Sequence, residues 1–291
     1  MSIKPRFYAL AVLSLGVFLS ANVSADIVIS DNFDGTAGTG PALQVIANGA
    51  QGGGGSFDNS TGLVIAGMTD GSTSATGFNN TDLVDVSSEV VAIKADFQID
   101  SVENLLFSRS NGFFLGLVTN NDFSATAGAT DPTGDGLYNN NNVDAVGLLI
   151  NSATSTTSAI DEARIVSDGD SAPNTTLASL TLPASADELE NFAEAVEDGF
   201  TFSITLNADE TIDVSTTGLL ADINETGLAL TGDVSFADFV ANGVGVNATF
   251  QGGGGQFTAG SVSVHLEAIP EPSSLALLGL TTLGLVARRR R

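Results

Sequence analysis

In the stretch Phe200-Thr201-Phe202-Ser203-Ile204-Thr205-Leu206, every second residue is apolar and every residue between carries a hydroxyl. Successive side chains of a strand point to opposite faces, so an extended chain puts Phe200, Phe202, Ile204 and Leu206 on one surface. Asn207-Ala208-Asp209-Glu210 breaks the alternation, and Ile212 and Val214 resume it, which predicts a hairpin with one buried face. Val91 to Ile99 shows the same period of two, with Lys94, Asp96 and Gln98 on the polar side. Gly112 to Val118 and Ala145 to Ile150 are near-continuous apolar runs, as expected of central strands covered on both faces. Asp26 to Ile29, Leu43 to Ala47, Gly62 to Ala66, Gly243 to Phe250 and Ser261 to Leu266 add further strands, divided by Gly, Asn, Asp and Ser clusters. Val262, Val264 and Leu266 point inward, and Phe33 is a buried residue in an otherwise polar loop.

One helix is predicted among these strands. Ser185 and Glu188 have capping-box spacing, Leu189, Phe192, Ala193 and Val196 share a face, and Gly199 is the stop. Glu188, Glu190, Glu194 and Glu197 fall on its exposed side, so it is a surface helix. Gln51 to Gly55 and Gln251 to Gly255 are the same five residues, QGGGG. We expect these two runs to be spatial neighbours linking two sheets, with the first and last strands side by side. The expected fold is all-β: a two-sheet antiparallel sandwich of jelly-roll type with one short surface helix. Asn111 to Val118, Val146 to Ile150 and the hairpin Phe200 to Ser215 resemble the laminin-G and concanavalin-A-like sandwich in strand order and texture.

The two ends of the chain follow other rules. Lys4 and Arg6 precede an apolar run from Phe7 to Leu19, and Val23 and Ala25 put small residues at the −3 and −1 positions. This is the pattern of a secretory signal peptide, residues 1–25, cut between Ala25 and Asp26 by signal peptidase. At the other end Pro270-Glu271-Pro272 is followed by a neutral segment, Ser273 to Ala287, and by Arg288, Arg289, Arg290 and Arg291. As a helix that segment would span roughly 22 Å, short of the ~30 Å hydrocarbon core, with the arginines on the cytoplasmic side. The two prolines keep the triplet extended at the other interface. This order resembles the PEP-CTERM sorting tail of Gram-negative bacteria. The resemblance implies recognition by an exosortase-type enzyme, processing at or near the triplet, and export to the envelope, cell surface or extracellular matrix. A permanent C-terminal anchor is the plainer alternative.

Between the ends lies one domain, residues 26–268, followed by the tail at 269–291. The domain holds 33 of the 34 acidic residues against Lys94, Arg109 and Arg164, which leaves it near −30. Phosphate binding needs a basic face, so nucleic acid is excluded as a partner. There is no cysteine, hence no disulfide and no thiolate chemistry, and a single His without Cys cannot close a usual zinc site. His265 is expected on the outward face of a late strand, beside Glu267.

No pair of carboxylates at the spacing of a glycosidase stands out, and there is no phosphate loop or dinucleotide motif. The body is therefore read as non-enzymatic, structural or adhesive, with a glycoside hydrolase as the third-ranked reading. The second is a Ca2+-dependent carbohydrate-binding module. Asp131, Asp135, Asn139 and Asp144 gather oxygens in one loop of the kind Ca2+ needs, and Asp168-Gly169-Asp170 is a fainter version. Tyr138, the one aromatic of sugar-stacking type outside the signal peptide, stands between Asp135 and Asn140, so these three form the candidate sugar contact. Extracellular polysaccharide would be the partner.

Overall fold

The computed structural model describes residues 25–34, 36, 38–48, 63–66, 75–103, 112–119, 144–151, 162–168, 175–180, 195–219, 222–231, 234–251 and 256–268. They form two seven-stranded antiparallel sheets. Sheet A runs β1 (Ala25–Asp31), β14 (Gln256–Ala268), β5 (Val90–Glu103), β10 (Phe200–Asn207), β11 (Thr211–Thr217), β12 (Asn224–Ala229). β3 (Leu63–Ala66) also pairs with β14, at Gln256 to Ala259, ahead of the stretch that β1 takes. Sheet B runs β2 (Leu43–Asn48), β4 (Ala75–Asn80), β13 (Gly245–Gln251), β6 (Gly112–Val118), β7 (Ala145–Asn151), β8 (Glu162–Asp168), β9 (Thr175–Leu180).

The alternation of β5, β10 and β11 is realised as expected. Ile93, Ala95, Phe97, Ile99, Phe200, Phe202, Ile204, Leu206, Ile212 and Val214 are buried in the core between the sheets. Val262, Val264 and Leu266 of β14 join them, and the rings of Phe97 and Phe202 stack 6.0 Å apart across the β5–β10 pair. Phe33 is fully buried and meets Phe78 edge-on at 5.6 Å.

β6 and β7 are covered on both faces. Leu115, Leu117, Val146, Leu148 and Ile150 enter the main core. Phe114, Val118, Ala145, Leu149 and Val166 form a second buried cluster on the other side of sheet B. Gly116 and Gly147 pair directly, and a Cβ on either would strike the Phe114 ring, at 2.5 and 2.8 Å. The ring lies over bare backbone, filling the space that two side chains would have taken.

The first and last strands are neighbours: β1 pairs with β14 with Ala25 opposite Glu267. The glycine runs lie outside the described residues, but their flanks are placed. Asn48 and Gln251 both pair with Ala75 at one end of sheet B. On the far side of the runs, Ile65 of β3 pairs with Phe257 of β14 in sheet A. Both connections thus leave one sheet and enter the other at the same end.

The helical content departs from the expectation of one helix. Residues 195–197 are helical and Gly199 follows at φ 93°, whereas Ser185 and Glu188 lie outside the described residues. A further helix, α1 (Phe236–Asn242), was not anticipated. Seven residues carry too few apolar positions to show a helical period, and only Phe236 and Phe239 are buried. Its signal was the capping box: Ser235 Oγ accepts from the Asp238 N–H, and the Asp238 carboxylate accepts from the Ser235 N–H. Among the described residues no helix is long and apolar enough to cross a membrane.

The two ends of the sandwich can be told apart. At one end lie the start of β1, the last residue of β14, the start of β5 and the β10–β11 turn. The same end of sheet B holds the starts of β7 and β13 and the last residue of β8. The Phe236 N–H donates to Glu210 Oε2 and Ser167 Oγ donates to the Thr231 carbonyl, which ties these two edges together. Asn48, Gln251 and Gln256, which flank the glycine runs, are at the opposite end.

Candidate functional site

The outward face of sheet A is polar, and the strand register sets its side chains in rows. Ser263, Asp96, Ser203, Ser215 and Asn224 face one another across five strands. Beside them run His265, Lys94, Thr205 and Asp213. Asp96 is the hub: its Oδ2 lies 3.0 Å from Lys94 Nζ and 3.8 Å from His265 Nε2, and its Oδ1 accepts from Ser203 Oγ. Ser263 Oγ is 3.1 Å from the same His265 nitrogen. Next to the hub, a shallow groove of about 300 Å³ is lined by Lys94, Ser203, Thr205, Asp213, Val214, Ser215 and Asn224 to Thr226. Asp213 is already engaged there, accepting from the Gly227 N–H at 2.7 Å and from Asn207 Nδ2 at 3.4 Å.

Serine, histidine and aspartate so close together raise the question of nucleophilic catalysis, and the geometry answers it. A triad needs the acid on one ring nitrogen and the hydroxyl on the other, so that the acid fixes the tautomer while the base takes the proton. Here Asp96 and Ser263 both approach Nε2. The arrangement is an ion-pair and hydroxyl network, half-exposed on a sheet face. Exposed pairs contribute little, so Asp96→Asn is expected to lower stability by no more than about 1 kcal/mol in urea unfolding. A loss several times larger would show that the hub is structural after all.

On sheet B the outward face carries the second apolar cluster, with Arg164 of β8 beside Leu149. β6, β7 and β13 contain neither Asp nor Glu along their whole length. Asn247 is fully buried on this face beside Gly116. Asn80, also buried, accepts from the Val246 N–H on its Oδ1 at 2.8 Å and donates to the Pro41 carbonyl. These amides satisfy backbone groups, as buried polar atoms must.

Of the metal and sugar candidates Asp144 and Asp168 are described; Asp131, Asp135, Tyr138, Asn139, Asn140, Gly169 and Asp170 lie outside the described residues. Asp144 precedes β7, where its carbonyl accepts from the Thr119 N–H at 2.9 Å and its Oδ2 from Thr119 Oγ1 at 3.4 Å. The next residue, Ala145, pairs with Asp168, so both acidic segments picked from the sequence reach the same end of sheet B. Among the described residues no group of three or more His, Asp or Glu could hold a metal ion. Ala25 and Asp26 open β1; Pro270, Glu271, Pro272 and Arg288 to Arg291 lie outside the described residues. The Asp96–His265 network was missed, because its parts come from strands 169 residues apart whose pairing no local pattern announces.

Comparison with known proteins separates the tail from the body. Residues 268–291 match the PEP-CTERM protein-sorting motif. No curated protein matches the chain. Among solved structures, a lectin from Bauhinia forficata in complex with GalNAc gives a TM-score of 0.52 at 12% identity, covering 84% of this chain and 100% of its own. Arcelin-5, a lectin-like defense protein from Phaseolus vulgaris, gives 0.50 at 13%, covering 82% of this chain and 98% of its own. The body therefore has the lectin-like β-sandwich fold, and the chain ends in a PEP-CTERM motif, which implies exosortase processing and export to the cell envelope.

Proposed function

We propose that this is a surface or extracellular-matrix protein of a Gram-negative bacterium whose sandwich is structural or adhesive rather than catalytic. The observation that carries the reading is where the motif is attached. Ala268 is both the last residue of β14 and the first residue of the matched segment. β14 is bonded on both sides, to β5 over most of its length and to β1 and β3 in turn. The tail therefore hangs from a strand inside the sheet, an attachment that holds the folded body firmly while the tail is handled. A non-catalytic body is supported by the lack of carboxylates on β6, β7 and β13 and by the unsuited geometry at His265.

Mass spectrometry of the protein from its host tests this. The expected mature chain begins at Asp26 and lacks Arg288 to Arg291; recovery of Met1 and Arg291 on one molecule would overturn it.

A second reading is favoured by the fold: the Bauhinia lectin that shares it is in complex with GalNAc. In this reading Asp131, Asp135, Asn139 and Asp144 hold Ca2+, and Asp135, Tyr138 and Asn140 meet the sugar. Polysaccharide pull-down with and without EDTA decides between the two. Retention that EDTA abolishes supports the lectin reading, and no retention in either condition removes it.

A further inference from the structure

Asn-x-Ser/Thr, with x other than proline, is the acceptor triplet of N-linked glycosylation and marks surface segments of exported chains. Three such triplets lie wholly within the described residues: Asn79-Asn80-Thr81, Asn224-Glu225-Thr226 and Asn247-Ala248-Thr249. The fold treats them differently. Asn79 is on β4, bonded to β2 and β13, and Asn247 is on β13, bonded to β4 and β6. A strand held on both sides cannot lend its backbone to an enzyme, and Asn247 has no exposed surface. Asn224 opens β12, an edge of sheet A, and Asn224, Glu225 and Thr226 are all exposed.

The surroundings of β12 suit a modified residue. Just ahead of it, Ile223 is buried and bonded twice to Thr216. The Ile223 N–H donates to Thr216 Oγ1 at 2.8 Å, and its carbonyl accepts from the Thr216 N–H at 2.9 Å. Beyond that anchor the strand is held loosely. The register against β11 shifts between Ile212 and Val214, and Gly227 stands at φ 66° with no described atom within 4 Å of where a Cβ would be. Asn224 to Gly227 is exposed throughout, and an edge segment that buries no side chain opens locally at small cost, as entry into a transferase cleft requires.

Asn224 and Thr226 are alternate residues of one strand, so they share a face. Both line the shallow groove of about 300 Å³, whose other walls include Ser203, Thr205 and Ser215. A sugar on Asn224 therefore meets space and hydroxyls instead of a packed wall.

We propose that Asn224 is the acceptor of an N-linked glycan. The co-reactant is a sugar carried on a lipid pyrophosphate, the donor class that an exported chain meets on the far side of the membrane. Asn224 Nδ2 attacks the anomeric carbon, the bond from that carbon to the phosphate oxygen breaks, and a carbon–nitrogen bond forms. The lipid pyrophosphate leaves with the electron pair, and a base of the transferase takes the proton that Nδ2 gives up. The attached glycan then shields the open edge of β12, which would otherwise be a template for pairing with another chain. This rests on the export reading and goes beyond it.

Cleavage before aspartate suits a chain so poor in Lys and Arg, and it releases Asp222 to Gly232 as one peptide. In protein purified from its host, that peptide is expected to carry a glycan, seen as a mass increase and as sugar fragment ions. Thr226→Ser keeps the hydroxyl and is expected to keep the glycan, whereas Thr226→Ala and Asn224→Gln are expected to lose it. Both positions are exposed, so the variants fold as the parent does. Thr226→Ala discriminates best, because it leaves the acceptor amide in place. Equal glycan on Thr226→Ala and on the parent overturns the inference. A bare peptide from chains that begin at Asp26 overturns it too, and leaves the export reading standing. Chains that still begin at Met1 overturn the export reading, and this inference with it.

Discussion

Phe202→Ala is expected to destabilise the body by about 3–5 kcal/mol, the range for removing a large aromatic side chain from a core that cannot close over the gap. Phe202 has no exposed surface and is the third residue of β10, flanked by Phe97 on β5 and Thr216 on β11. Its ring stacks on that of Phe97, a pairing worth about 0.5–1.5 kcal/mol beyond area alone. Antiparallel ladders fix the strands on both sides, so the surroundings can relax only slightly. Typical domains are stable by about 5–15 kcal/mol, so the loss consumes a large part of what there is, with no disulfide to compensate. Urea unfolding would show the midpoint falling steeply with an unchanged slope, while Phe202→Leu, which keeps most of the volume, falls much less. A Phe202→Ala unfolding free energy within about 1 kcal/mol of the parent would mean that the two sheets do not meet at this residue.

How far the fold was legible follows from the same physics. β5, β10 and β11 could be read because each has one wet face and one dry face, which leaves the alternation in the sequence. β6 and β7 were read by continuity of apolar residues, since both of their faces are covered. β4 escaped notice: Ala-Thr-Gly-Phe-Asn-Asn has one large apolar residue, and it is a strand because β2 and β13 bond it from both sides. β8 and β9 lie toward one edge of sheet B with Ser, Thr and charged residues between their apolar ones. β12 is an edge strand with almost every residue exposed, so it carries no burial pattern at all. The glycine runs themselves lie outside the described residues, and what the fold places is their flanks: Ala75 sits between Asn48 and Gln251.

The sites divide in the same way. The sorting tail was plain because its parts are contiguous and act through the chain itself. The Asp96 hub was invisible because it exists only where β14, β5 and β10 are laid side by side. The same pairing places Asp144 and Asp168 near each other, which spacing alone could not do.

The tail offers the largest functional effect, and two substitutions separate its parts. Replacing Arg288 to Arg291 with Asn leaves a neutral segment from Ser273 to the end, with nothing to stop it during export. Drawing an arginine through the bilayer centre costs about 2.5–3.5 kcal/mol on insertion scales, so four of them form a barrier of roughly 10 kcal/mol that the variant lacks. The 15-residue neutral stretch is itself too short to hold the membrane well. The expected result is a chain that begins at Asp26 and is unprocessed at its C-terminus, in the periplasm or medium rather than the membrane fraction, with Pro270-Glu271-Pro272 intact on mass spectrometry. Replacing the triplet with three alanines keeps the arginine stop, so that variant is expected to stay in the membrane fraction, unprocessed and protease-accessible. The opposite fates of the two variants show which part holds the chain and which part is recognised. An arginine-free variant processed as fully as the parent would mean that the basic block is not the stop, and the membrane-held precursor would lose its physical basis.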